Sequence, residues 1–299
     1  MSCAECNRKG NIKVDDSKYN MICFTTMGNM LLFFDKWTAA SPQPFGLFHF
    51  LILGIIIIGI VLICVFLRHT SDKTTRIILL SIGGIMILLE IVRQIINITT
   101  PGGFFWQWFP FQLCSVVMYF YITAGLLKKD SWLKEAVLLF LASYGLFGGL
   151  LTMIMPSIVW NTDLGAVIMQ TTIHHILMIW GAVYLLVGRK INFKRINFNF
   201  LTKAFPIFVA TIIIAILINC IVVWSVGVEN SHYINMFFVN PYIPAAFDMP
   251  LFGDMGLHYL AWFAIFVFGY SLLCFGVLWA VYGIQLLSRK LAAKRIAHD

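Results

Sequence analysis

Long apolar runs separated by short polar segments dominate the pattern of this chain. Seven of these runs have about 20 residues or more, which is enough for a helix to cross a bilayer. They are residues 45–67, 77–98, 108–127, 133–155, 164–187, 201–226 and 257–287. Most are uninterrupted Ile, Leu, Val and Phe, which indicates burial in lipid rather than a single apolar face. The pattern predicts an all-α, polytopic helical membrane bundle of about seven transmembrane helices.

The composition gives the same class of protein. Hydrophobic residues make up 60% of the chain, charged residues 11%, and the mean hydropathy is +0.88. Soluble domains carry roughly 45–50% apolar and about 25% charged residues. The net charge of +8 would suggest a nucleic-acid partner in a soluble chain. Here the basic residues lie in short loops between spans, where they set orientation, so we expect the membrane and no nucleic acid as partner.

The chain divides into three parts. Residues 1–44 form a polar N-terminal segment, within which the apolar stretch 21–34 has only 14 residues. That is too short to span, so we interpret 21–34 as interfacial or re-entrant. Residues 45–287 are the predicted transmembrane bundle, and 288–299 form a basic tail. The oligomeric state is open.

The distribution of Lys and Arg predicts the orientation of the bundle. Loops 99–107, 156–163 and 227–256 contain neither residue, whereas the alternate connections are basic. The basic positions are Arg68, Lys73, Arg76, Lys128, Lys129, Lys134, Arg189, Lys190, Lys194, Arg195, Lys203, Arg289, Lys290, Lys294 and Arg295. Positive loops stay in the cytosol, which predicts a cytosolic C-terminus and an N-terminus outside.

Two glycine pairs inside the spans, Gly83-Gly84 and Gly148-Gly149, predict close contacts between helices. Small residues allow helix backbones to approach one another in lipid. No internal repeat accompanies them, although many transporter folds are built on one.

Several polar side chains fall within or beside the spans, in the predicted outer half of the bundle. They are Glu90, Arg93, Gln112, Cys114, His174, His175 and Asn235. Polar groups in lipid are costly, so they are candidates for a functional site. Cys114 lies about six residues into the third span, or about 9 Å at 1.5 Å per residue.

Each candidate also has a structural interpretation. Glu90 and Arg93 are three residues apart, so they share a helix face and could simply neutralise each other. Alternatively, Arg93 could hold a lipid phosphate. His174 and His175 point about 100° apart on a helix, so we expect at most one of them to face a given site.

A cysteine and a neutral histidine together suggest acyl transfer. A thiol is only a few per cent ionised at neutral pH, and a histidine that takes its proton makes the nucleophilic thiolate. From the residues alone, a small-solute or ion transporter lined by Glu90, Arg93 and His175 stays open, as does a non-catalytic lipid-binding protein. No H-E-x-x-H spacing predicts a metal site, and a thioester route needs no cofactor.

Short motifs around these residues resemble the YwaF-like family of integral membrane proteins, related to an animal ether-phospholipid acyltransferase linked to ferroptosis. The segment 110–115, Pro-Phe-Gln-Leu-Cys-Ser, is similar to that family's Pro-Leu-(His/Gln)-Leu-Cys-Ser. Other similar elements are Tyr144-Gly145 with Gly148-Gly149 and Pro156, then Gln170 five residues before His175, and Asn235-Met236-Phe237. The resemblance covers roughly residues 45–287.

This resemblance implies a membrane-embedded acyltransferase that moves a fatty acyl chain from a phospholipid to a lysophospholipid through a cysteine thioester. By that likeness Cys114 is the nucleophile and His175 the assisting base. It also implies a multi-pass protein of a bacterial cell membrane. We expect Glu90 to orient a histidine, and Gln112 or Asn235 to donate to the oxyanion.

Overall fold

In the computed structural model of the chain, the described residues form a bundle of seven membrane-spanning helical segments. The structure describes residues 42–99, 106–128, 131–160, 162, 164–188, 190–191, 196–231, 234–242 and 259–296. The predicted interfacial stretch 21–34 lies outside these residues.

The helices are numbered in chain order, and each overlaps one predicted span. They are α1 (Leu47–Phe66), α2 (Asp72–Thr99), α3 (Leu113–Leu126), α4 (Trp132–Ile154), α5 (Gly165–Val187), α6 (Ile196–Val226) and α7 (Tyr259–Ala264, Ile265–Gly269 and Tyr270–Ile296). The described residues contain no β-strand. The prediction of an all-α bundle with seven spans is confirmed.

The outer surface of the bundle is apolar, as lipid contact requires. Large side chains such as Ile57, Ile58 and Leu272 are more than half exposed on α1 and α7. Seven helical segments are long and apolar enough to cross a membrane, and the third of them runs from Trp106 to Leu126, so it includes the residues that lead into α3. The chain is therefore an integral, multi-pass membrane protein.

Helix α5 is the central helix of the bundle. Most of its length is buried, and it packs against α1, α2, α3 and α4. Two glycines permit this packing. A methyl group on Gly59 of α1 would overlap the Trp180 indole of α5, and one on Gly181 would overlap the Tyr121 ring of α3. The two aromatic rings therefore pack directly on the glycine positions, and such close packing gains the dispersion energy that drives helix association in lipid.

The two predicted glycine pairs behave differently. Gly83 lies against Ile122 of α3, and Gly149 lies against Ile179 and the His175 carbonyl of α5. Gly148 lies near the Tyr270 hydroxyl, whereas Gly84 has nothing within 4 Å. The predicted helix contacts are thus confirmed for three of the four glycines.

Helix α3 begins five residues later than the predicted span 108–127. Residues Trp106–Trp108 form a short 3₁₀ turn, and the regular helix starts only at Leu113. Pro110 explains the break, because it has no N–H to donate and disfavours helical conformation in Phe109. Cys114 consequently lies in the first turn of α3 instead of about six residues inside a helix.

A loop of residues 234–242, here called the 234–242 loop, folds back into the bundle between α6 and α7. Ile234, Met236 and Val239 are fully buried. Asn219 of α6 brackets Met236, accepting from its N–H at 2.8 Å and donating to its carbonyl at 3.1 Å. Phe237 has φ +56°, a left-handed conformation that is strained for a bulky side chain and needs such support.

Candidate functional site

Side chains from α2, α3 and α5 surround a small cavity at the end of the bundle where α3 begins. Its lining residues are Glu90, Arg93, Cys114, Ser115, Gln170, Thr171, His174 and His175. The empty space is about 160 Å³, part of it open to the surroundings, and it admits about one water-sized group. Five of the seven predicted site residues therefore share one cavity.

Helix α2 contributes a buried ion pair to this cavity. The Arg93 guanidinium donates from Nε and Nη2 to Glu90 Oε1, at 3.2 and 2.8 Å. Gln94 Nε2 donates to the same oxygen at 2.7 Å. Both Arg93 and Gln94 also donate to the Trp108 carbonyl. The pair is therefore held against the segment that leads into α3, and the neutralisation expected from the i, i+3 spacing is present.

Helix α3 contributes Cys114 in its first turn, as a free and partly exposed thiol. The first intrahelical bond runs from the Val116 N–H to the Gln112 carbonyl, so the N–H groups of residues 113–115 have no acceptor in their own helix. This end of the helix suits an anionic oxygen.

Helix α5 contributes both histidines, and each has one nitrogen engaged. His174 Nε2 donates to the Cys114 carbonyl at 3.0 Å, and His175 Nδ1 donates to the Thr171 carbonyl at 2.7 Å. A carbonyl only accepts, so these bonds fix the tautomers of the neutral rings. His174 keeps a lone pair on Nδ1 and His175 keeps one on Nε2. The expectation that only one histidine faces the site is wrong, because both line the cavity.

Gln170 and Thr171 are cavity residues that were not among the predicted site residues. Gln170 precedes His174 by four residues, and Thr171 precedes His175 by four, so each lies one turn from a histidine on the same helix face. Both are more than nine-tenths buried. The i, i+4 spacing of polar residues within an apolar run is the signal that could have identified them.

Gln112 and Asn235 lie outside the lining of the cavity. Gln112 Oε1 accepts from the Phe237 N–H at 3.0 Å, and its Nε2 donates weakly to the Asn235 carbonyl at 3.4 Å. Asn235 Oδ1 accepts from the Asn240 N–H. The Gln112 amide therefore holds the 234–242 loop against the start of α3, and Asn235 closes a turn within that loop.

Metal ligation has no support in the part of the chain that the structure describes. Those residues contain no group of three or more His, Cys, Asp and Glu side chains that could hold an ion. The cavity is lined by a thiol, two imidazoles, two hydroxyls, an amide and an ion pair. Such groups transfer protons and acyl groups without a metal.

A comparison with models of known protein families identifies a match over most of the chain. The model of the TMEM164 family matches residues 44–282. No curated protein and no solved structure matches the chain. The matched region contains all seven helices apart from the last residues of α7, and every residue that lines the cavity.

Proposed function

Because the chain belongs to the TMEM164 family, a family of membrane proteins, we propose that it is a membrane-embedded acyltransferase. It moves a fatty acyl chain from a phospholipid to a lysophospholipid through a thioester on Cys114. The observation that carries this proposal is that Cys114 shares one cavity with two histidines, each held through one ring nitrogen by a backbone carbonyl. The likeness of residues 110–115 to the YwaF-like motif supports the same reaction.

In the first half of the reaction, Cys114 attacks the ester carbonyl of the donor phospholipid. His175 Nε2 takes the thiol proton, since Nδ1 is engaged by Thr171. The sulfur–carbon bond forms, the ester carbon–oxygen bond breaks, and the proton passes from His175 to the leaving oxygen of the lysophospholipid. The cavity is too small for an acyl chain, so the chain lies outside it, toward the lipid.

The N–H groups at the start of α3 are the best-placed donors for the oxyanion. They have no acceptor within the helix, and they belong to Cys114 itself and its neighbours, as in other oxyanion holes. Gln112 is a weaker candidate than the sequence suggested, because its amide is engaged by the 234–242 loop. Asn235 Nδ2 has no partner among the described residues and stays a supporting candidate.

Arg93 is proposed to bind the phosphate of the lipid headgroup. Its Nε and Nη2 donate to Glu90 and Trp108, whereas Nη1 makes no such bond within the part of the chain that the structure describes and has two N–H donors. Guanidinium groups bind phosphate oxygens with charge-assisted hydrogen bonds. Glu90 supports this role by fixing the guanidinium and by keeping the pair neutral in the absence of lipid.

The distribution of Lys and Arg supports an orientation in which the cavity lies in the outer half of the membrane. We propose that substrates enter from the outer leaflet of a bacterial cell membrane. The C-terminal end of α7 then lies in the cytosol.

An acyl-exchange assay in lipid nanodiscs tests the proposal. Wild-type protein is expected to move a labelled acyl chain from phospholipid to added lysophospholipid, and Cys114→Ala is expected to abolish this transfer. Cys64→Ala is the matched control, because Cys64 is an exposed cysteine of α1 away from the cavity. Full transfer by Cys114→Ala would refute the thiol mechanism. Solute uptake by a wild-type protein that transfers no acyl chain would favour a transporter.

A further inference from the structure

Three buried polar atoms around the cavity have no hydrogen-bond partner among the described residues. They are Glu90 Oε2, Gln170 Oε1 and His174 Nδ1. Their residues are only 4%, 4% and 3% exposed, and all three line the cavity beside Cys114. Leaving a buried acceptor without a donor is unfavourable, and few buried polar groups in folded proteins lack a partner. Three around one cavity indicate a ligand group that they bind.

The three atoms have the same chemical character, because each accepts a hydrogen bond. His174 uses its only N–H on the Cys114 carbonyl, so Nδ1 is a lone pair. Glu90 Oε1 takes the bonds from Arg93 and Gln94, and Oε2 remains. The bound group must therefore donate. A hydroxyl has one hydrogen, which it can donate to His174 Nδ1 or to Glu90 Oε2, and its oxygen accepts from the Gln170 amide when the amide nitrogen faces the cavity.

The size of the cavity restricts the group further. It admits about one water-sized group, which matches a hydroxyl. A phosphate is too large, and it would present acceptor oxygens to a carboxylate and two other acceptors. A lipid phosphate is better placed on Arg93, at the edge of the cavity.

We propose that Glu90 Oε2, the Gln170 amide and His174 Nδ1 form a binding site for the hydroxyl group of the acyl acceptor. This inference rests on the proposed function and assigns its second half-reaction. The acceptor oxygen attacks the thioester carbon, and the carbon–sulfur bond breaks. The acceptor proton passes to His174 Nδ1 and then to the Cys114 sulfur, which restores the thiol.

The two histidines thereby serve the two half-reactions separately. His175 accepts the thiol proton when the donor phospholipid acylates Cys114, and it takes the proton back if the same lysophospholipid returns to the thioester. His174 accepts the proton of an acceptor hydroxyl that is bound at the separate position beside Glu90 and Gln170. The Cys114 carbonyl accepts from His174 Nε2 and stabilises the imidazolium that forms. Glu90, on the same cavity, supplies a compensating negative charge.

The variant His174→Gln separates the hydrogen bond that the side chain donates to Cys114 from its ability to accept a proton. A glutamine amide can keep an N–H on the Cys114 carbonyl, but it has no basic lone pair. We expect the acyl adduct on Cys114 to form within about threefold of the wild-type rate, and its discharge to lysophospholipid to slow at least tenfold. Gln170→Leu, which keeps the shape without the amide, is expected to slow discharge likewise. Met169→Leu, on the lipid-facing side of α5, is the control.

The acceptor hydroxyl could come from a lysophospholipid or from water, and the products distinguish them. Discharge to lysophospholipid gives a diacyl phospholipid, whereas discharge to water gives free fatty acid. Adduct that accumulates in both variants, with unchanged thermal unfolding, supports the site. A wild-type adduct that either variant discharges at the wild-type rate overturns the site alone. Absence of an adduct on the wild-type protein overturns the proposed function as well.

Discussion

The imidazole of His174 donates a 3.0 Å hydrogen bond to the backbone carbonyl of Cys114. This bond joins the central helix α5 to the first turn of α3 and sets the tautomer of the ring. The bond is made to the backbone of Cys114 and not to its sulfur, and His174 and Cys114 line the same cavity. The adjacent His175 is fixed by a different carbonyl, that of Thr171, so the two rings present lone pairs on different nitrogens.

The tautomer of His175 leads to a prediction for the first half-reaction. His175→Asn is expected to slow acylation of Cys114 at least about 100-fold, within the usual contribution of a general base. The asparagine amide can still donate to the Thr171 carbonyl in place of Nδ1, so folding should be unaffected. Single-turnover acylation, followed by mass spectrometry, measures the rate. Acylation at the wild-type rate would remove His175 from the mechanism.

The buried ion pair predicts a charge-dependent loss of stability. Arg93 and Glu90 side chains are 13% and 5% exposed. Arg93→Gln leaves the carboxylate without its counter-charge, and breaking a buried pair costs about 3–5 kcal/mol. We expect a clear fall in the thermal unfolding midpoint in detergent.

A double variant separates charge from function. Glu90→Gln combined with Arg93→Gln removes both charges, and it is expected to regain much of the unfolding midpoint lost in the single variant. It should nevertheless remain defective in acyl transfer, because both groups are proposed to contact substrate. If the single and the double variant have the same unfolding midpoint, the charges of Glu90 and Arg93 do not stabilise the fold through each other.

Two glycines of α1 give a matched test of the packing. A methyl group on Gly59 would lie 2.2 Å from the Trp180 ring, whereas Gly54 has nothing within 4 Å. Gly59→Ala is expected to destabilise the bundle by about 1–3 kcal/mol through overpacking. Gly54→Ala is expected to be neutral or stabilising, because alanine favours helix. Equal thermal unfolding of the two variants would contradict the close approach of α1 and α5.

The 234–242 loop depends on one buried amide. Asn219→Ala removes both bonds to Met236 and leaves buried backbone groups unpaired, which costs about 1–3 kcal/mol. We expect a lower unfolding midpoint and faster proteolysis within the loop. Ser225→Ala, on the exposed side of α6, is the control. It should change the free energy of unfolding by no more than about 0.5 kcal/mol. Unchanged proteolysis in Asn219→Ala would show that the loop is held by other contacts.

The sequence predicted the helices because length and hydropathy alone decide what crosses a bilayer. All seven spans were identified, and the errors lie at their ends, such as the start of α3. The late start of α3 has a local cause, because Pro110 interrupts the helix although the apolar run continues on both sides of it. The glycine contacts were predicted less completely, since Gly59 and Gly181 oppose aromatic rings on distant helices that sequence spacing does not identify.

The residues around Cys114 were only partly predictable. Polar groups within apolar runs identified Glu90, Arg93, Cys114 and the two histidines, and the cavity contains all of them. The role of Gln112 in holding the 234–242 loop could not be predicted, because it depends on a fold-back from residues more than a hundred positions away. The sequence also did not predict that His174 and His175 line the same cavity. Two adjacent residues of a helix can both line a cavity when other helices surround that helix on several sides.

Mass spectrometry of Cys114 during turnover tests the central proposal most directly. Purified protein in phospholipid nanodiscs is digested before and after treatment with hydroxylamine. We predict a fatty acyl mass on the Cys114 peptide that hydroxylamine removes and that is absent in His175→Asn quenched at early times. A Cys114 peptide that stays unmodified while the protein transfers acyl chains would contradict the thioester mechanism.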